Sequence, residues 1–80
     1  MKWTELAPGY IWSGSVDGKA YTYTVLTLES DDPTRARAWV SRRGVRGGFC
    51  MTNVERAKHL AEMQETMDPL RLHAHGLLLK

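Results

Sequence analysis

Only one long stretch of this chain repeats apolar side chains with the period of an α-helix: Thr52 to Met67, TNVERAKHLAEMQETM. Val54, Ala57, Leu60, Ala61 and Met67 fall on one side of a 3.6-residue helix, interrupted by Gln64, while Arg56, Lys58, Glu62 and Glu65 fall largely on the other. A rod with one apolar stripe must lay that stripe against something, and what precedes it reads mostly as strand. The chain is therefore constrained to a sheet with one face beneath a helix. Thr52 and Glu55 have the spacing of a capping box, Asn53 is the competing cap, and Asp68-Pro69 stops the helix because proline disfavours helical geometry in the residue before it. At about 1.5 Å per residue the rod is roughly 24 Å long, enough to cross three or four strands spaced about 4.8 Å apart.

Asp17-Gly18 organises the strands. It is a strong hairpin signal, since a type I′ turn needs positive φ at both central residues, and it separates two runs rich in aromatic, β-branched and threonine residues, Tyr10–Val16 and Lys19–Leu28. Counting outward pairs Val16 with Lys19, Gly14 with Tyr21, Trp12 with Tyr23 and Tyr10 with Val25 on one face. Ser15 with Ala20, Ser13 with Thr22 and Ile11 with Thr24 share the other. The first face is aromatic and belongs under the helix; the second mostly bears hydroxyls.

Met1 to Gly9 reads as an irregular lead-in with a turn at Pro8-Gly9, and Glu29 to Thr34 as an acidic, flexible loop. Arg35 to Ser41 is a third strand. Its facing has two solutions: Trp39 inward with Arg35 and Arg37 snorkelling at the strand end, or the alanines inward and Trp39 outside among arginines. We place Trp39 in the core, because large aromatics are mostly buried. Arg42 to Gly48 is a glycine-rich basic turn, and Phe49 to Met51 a short last strand feeding the helix. Leu70 to Ala74 suits a short second helix with Asp68 as N-cap, Pro69 at its first position and Gly76 ending it. The expected fold is α+β: a three-stranded antiparallel sheet packed on one face by a single long α-helix. Residues 1–69 form one β-β-β-α domain and residues 70–80 a C-terminal tail or short helix.

A single core of this size rarely supplies more than about 3–5 kcal/mol unaided, so a homo-oligomer is expected. Leu70, Leu72, Leu77, Leu78 and Leu79 are the candidate partner or oligomer contacts. The single cysteine, Cys50, excludes an internal disulfide and fits a reducing cytoplasm, and the longest apolar run, Leu77 to Leu79, is too short to span a bilayer. Neither secretion nor membrane insertion is expected.

The net charge of +2 is unevenly laid out. Residues 1–34 set Lys2 and Lys19 against Glu5, Asp17, Glu29, Asp31 and Asp32, whereas residues 35–50 carry Arg35, Arg37, Arg42, Arg43 and Arg46 with no acid at all. Such a block is a candidate anion-binding surface in which glycines 44, 47 and 48 let a phosphate backbone approach. Its alternative role is a charged strand edge that discourages aggregation. Cys50 stands before a helix N-terminus, but neither it nor His59 sits in a pattern signalling an oriented base or an oxyanion site, so no catalysis is expected. His73 and His75, two residues apart, point away from each other on a helix and lack a third ligand; Asp31-Asp32 lacks calcium-loop spacing. No metal or cofactor is expected.

The run Gly-Gly-Phe-Cys-Met-Thr (residues 47–52), followed by Ala57-Lys58 and Ala61-Glu62 and preceded by a strand holding Trp39, resembles small uncharacterised β-β-β-α proteins encoded by phages and prophages. It is more distantly similar to the Apetala-type plant DNA-binding domain and to the N-terminal domains of tyrosine integrases. The resemblance covers residues 10–66. It implies three strands with a covering helix, and DNA contacts from Arg35, Arg37 and Trp39 on the exposed sheet face. The expected function is a small non-enzymatic accessory protein that binds nucleic acid through its arginine-rich strand and loop. The alternative is a protein-binding module or inhibitor, phage-encoded and acting on a host protein, that uses the C-terminal leucines or the sheet edge.

Overall fold

The computed structural model describes residues 1–28 and 37–79. Its sheet is a five-stranded meander of β1 (Lys2–Ala7), β2 (Ile11–Ser15), β3 (Thr22–Thr27), β4 (Ala38–Arg42) and β5 (Phe49–Met51), each antiparallel to the next. Helices α1 (Val54–Thr66) and α2 (Pro69–Ala74) follow, of 13 and 6 residues. The fold is α+β, but a three-stranded sheet under a single long helix is not what forms. Two further strands complete the sheet. Lys2–Ala7 lacks the apolar alternation of a half-buried strand, yet Pro8-Gly9 closes a hairpin in front of β2: the Tyr10 N–H donates to the Ala7 carbonyl (2.9 Å), and Gly9 has φ +75°. Proline then glycine at the central positions is the pattern of a type II turn. β5 is only three residues long, but it pairs fully with β4 and supplies the far edge.

The second hairpin departs from its expected register by two residues. The Lys19 N–H donates to the Val16 carbonyl (3.1 Å) and Gly18 has φ +76°, but Asp17 does not cross to positive φ. A type I′ turn is therefore not made. The strands instead meet with Gly14 opposite Tyr23, Trp12 opposite Val25 and Ile11 opposite Leu26, leaving a longer loop that takes in Tyr21. A slip of two preserves which face each side chain occupies, so Trp12, Tyr23 and Val25 still share the helix side.

Asn53, not Thr52, caps α1, its Oδ1 accepting from the Arg56 N–H (2.8 Å). The helix lies over β3, β4 and β5. Tyr23, Val25, Ala38 and Val40 from the sheet meet Ala57, Leu60 and Ala61 from the helix in the core. Burial of Ala38 and Val40 puts Trp39 on the opposite face, half-buried, against the expectation that it joins the core. The helix approaches close to β4 because alanines stand on both sides of the contact, and an inward indole would hold the two layers apart. The loop expected at Glu29–Thr34 and the start of the expected third strand, Arg35 and Ala36, lie outside the described residues.

The C-terminal segment packs into the same core. Asp68 caps α2 and Pro69 opens it; Gly76, at φ +70°, ends it with Gly76 N–H to His73 and Leu77 N–H to Leu72 carbonyl bonds. This paired closure is a Schellman motif. Gln64 then holds the tail through both ends of its amide: Nε2 donates to the Leu77 carbonyl (2.6 Å) and Oε1 accepts from the Leu79 N–H (3.0 Å). Leu79, 4% exposed, completes the core.

Candidate nucleic-acid interface

With α1 and the tail on one side, the other side of the sheet has no described element over it. Strand pairing lays two rows across it. Ile11, Leu26, Trp39 and Cys50 stand side by side on β2 to β5, and next to them Thr4, Ser13, Thr24 and Ser41 stand on β1 to β4. All eight are half-buried or exposed. The β3–β4 ladder continues for one backbone hydrogen bond beyond each end of β4, from the Leu28 N–H to the Arg37 carbonyl (2.8 Å) and from the Arg43 N–H to the Thr22 carbonyl (2.9 Å). Alternation therefore brings Arg37 and Arg43, both exposed, onto the face of Trp39 and Ser41. Lys2, exposed on β1, joins them by the same rule. No carboxylate projects from this face among the described residues: Glu5 pairs with Trp12 on the helix side, Asp17 is in a turn, and Glu55, Glu62, Glu65 and Asp68 lie on or beside the helices.

The five arginines predicted as one site are thus split. Arg37 and Arg43 border the open face; Arg46 is exposed on the β4–β5 loop; Arg35 lies outside the described residues. Arg42 has the opposite parity and turns beneath the helix, where its guanidinium stacks 4.9 Å from the Tyr21 ring centre and 5.9 Å from that of Tyr23. Its Nη1 donates to the Tyr23 hydroxyl (3.4 Å) and its Nη2 to the Leu79 carbonyl (3.4 Å).

Arg42 belongs to a clasp that had no counterpart in the sequence expectations. The Tyr21 hydroxyl donates to both Glu65 oxygens (2.7 and 2.8 Å), the Tyr23 hydroxyl donates to Glu65 Oε2, and the two rings meet edge to face at 5.9 Å. Burial, then the bond to Glu65, push the Tyr23 phenol well above its usual range; for Tyr21 the Glu65 bond leads and burial adds to it. Burial pushes the Glu65 carboxyl up, but the hydroxyls of Tyr23 and Tyr21 and the charges of Arg42 and Lys19 outweigh it and hold the group below its usual range. Phenols held this firmly protonated are poor acids near neutral pH, and every buried polar side-chain atom among the described residues has a partner. The clasp fastens the helix end and tail to the sheet. Lys58 and Glu62 do similar work nearby, with Lys58 Nζ 5.2 and 5.7 Å from the Trp12 and Trp3 ring centres and Trp3 Nε1 donating to Glu62 (3.1 Å).

The leucines predicted as partner contacts are mostly used by the chain itself. Leu72 and Leu79 are buried, Leu77 and Leu78 half-buried, and only Leu70, 77% exposed, stands free. Among the described residues no three His, Cys, Asp or Glu side chains gather as metal ligands, and no helix is long and apolar enough to cross a membrane. Searches against protein-family models, curated proteins and solved structures match nothing to this chain. Its functional reading rests on the geometry above.

Proposed function

We propose that this is a non-enzymatic protein that binds nucleic acid on the uncovered face of its sheet. The observation that carries the reading is the charge layout of that face: Lys2, Arg37 and Arg43 stand around rows of hydroxyls, and no carboxylate projects among them from the described residues. Arginine, serine and threonine are the side chains that hold phosphate and sugar oxygens, and Arg46 on the adjoining loop extends the basic rim. Arg42 is not assigned a role in binding, because its guanidinium is held by Tyr21, Tyr23 and Leu79.

Fluorescence anisotropy with a labelled oligonucleotide, titrated between 50 and 200 mM salt, tests the reading (roughly the range over which counterion release is resolved). Affinity falls steeply with salt, and replacing Arg37 or Arg43 by alanine flattens the log–log slope by about 0.7–0.9 per lost phosphate contact. A Kd weaker than about 100 μM at low salt, outside the usual range even for non-specific binding, overturns it.

A further inference from the structure

We infer, resting on the reading just given, that the ligand is single-stranded and lies along β4 with a base stacked on Trp39. Sheet width argues against a duplex. Five strands about 4.8 Å apart span roughly 19 Å, against about 12 Å for the B-DNA major groove. The sheet cannot enter that groove flat, and the hydroxyls of Thr4, Ser13, Thr24 and Ser41 are too short to reach down into it from the rim. Its two adjacent rows instead match the anatomy of an unpaired base. An apolar row, Ile11, Leu26 and Trp39, suits the flat ring, and the hydroxyl row beside it suits the polar edge.

Trp39 is braced as a platform. Its indole covers Gly48, where an added Cβ would come within 2.9 Å of ring atom Cε2 and would also run into the Val40 carbonyl oxygen. A glycine is what lets the ring lie down at that point. Arg37 and Arg43 flank Trp39 on the same strand, six residues and about 20 Å apart, so a strand laid along β4 meets a guanidinium at each end of its path. Base stacking on an aromatic between phosphate contacts is how proteins hold single strands with little regard to sequence.

The test compares a 12-mer single strand, in DNA and RNA versions, with a blunt duplex of the same length at one salt concentration, using the full chain and its Trp39→Ala and Trp39→Phe variants, each checked for folding by circular dichroism. The expected result is at least ten-fold tighter binding of a single strand than of duplex, with preference between the two versions identifying the sugar recognised. Trp39→Ala weakens single-strand binding by about 5- to 150-fold, the range for one stacked base, leaves the salt slope unchanged, and Trp39→Phe recovers most of the loss. Should Trp39→Ala fail to fold, Trp39→Phe carries the same test: the fluorescence quenching that a bound strand causes in the native chain is largely lost in it. Duplex bound as tightly as single strand, or full affinity without the Trp39 ring, overturns the inference while salt-dependent binding keeps the nucleic-acid reading. Absence of binding to all three ligands at low salt overturns both.

Discussion

Arg42 and Arg43 are adjacent in sequence and fall on opposite faces of one sheet. On the covered face Arg42 is stacked on two tyrosines and bonded to a third partner, and around it Glu65, Gln64 and the phenols are likewise engaged. On the uncovered face Arg43, Arg37 and Lys2 stand in solvent beside hydroxyls and a half-buried indole. The difference teaches that strand parity, rather than local charge density, decides which members of a basic cluster remain available. A block of five arginines with no acid looks uniform along the chain, and the fold commits at least one of them to holding the domain together. Substitutions on the covered face should therefore change stability, and those on the open face should change binding.

The largest effect should come from the tail. Leu72 is fully buried and Leu79 is in the core, so Leu72→Ala is expected to cost about 2–5 kcal/mol, comparable to what a core of this size supplies. A chain ending at Asp68 loses both leucines and the backbone groups that Gln64 binds, and is expected to be unfolded by circular dichroism at 25 °C (about room temperature). A truncated chain that melts cooperatively near the full-length temperature would show that the leucines are surface after all, and would return them to the list of partner contacts.

Next in size is the tyrosine clasp, with a pH signature. The carboxyl of Glu65 is held below its ordinary value in the folded chain, so as pH falls below about 4.5 the unfolded chain takes up a proton that the folded chain resists, and stability drops. At the alkaline end Tyr21 and Tyr23 are raised, so above pH 10.0 the unfolded chain gives up protons the folded chain keeps, and stability drops again. Glu65→Gln is expected to cost about 1.5–3 kcal/mol near neutral pH, the range for hydrogen bonds to a charged group, and to flatten the acid arm of the urea-midpoint profile. Oligonucleotide affinity should stay unchanged in the folded variant. If it falls with stability intact, the two faces are coupled and the division between them fails.

How much of this was legible in the chain depends on the range of the interaction. The helix stripe, the Asn53 alternative cap, Asp68-Pro69 and Gly76 are local signals, and each lies where its chemistry places it. The hairpin parity survived even though the register did not, because an even slip leaves faces unchanged. Facing of β4 was not legible: Arg-Ala-Arg-Ala-Trp-Val-Ser alternates small with large and charged with apolar, and which set turns inward depends on how closely α1 approaches, a tertiary matter. The clasp was invisible for a related reason. Tyr21 and Glu65 are 44 residues apart, and the carboxylate looked solvated on a helical wheel because Lys58, Glu62 and Glu65 form a flank that reaches across to aromatic side chains. The turn at Pro8-Gly9 is legible in the chain, and its position directly before a strand is the local signal that points to β1 as the other arm of a hairpin.

The smallest effect concerns the cover itself and separates two residues that sequence spacing cannot. Thr52 and Asn53 both suit the start of α1, but it is Asn53, with an extended backbone (φ −161°, ψ 174°), whose side chain accepts from the Arg56 N–H. Asn53→Ala should cost about 1 kcal/mol and Thr52→Ala much less, read as shifts in urea midpoint at constant slope. Because α1 never reaches the open face, the Asn53 variant should bind oligonucleotide as the native chain does while its folded fraction remains near unity. A larger loss from Thr52→Ala would mean that the helix starts one turn position earlier in solution. Lengthening α1 by one residue at its start leaves the faces of the residues after it unchanged, so Lys58, Glu62 and Glu65 would keep their contacts and the contrast between a satisfied face and an available one would stand whichever residue caps the helix.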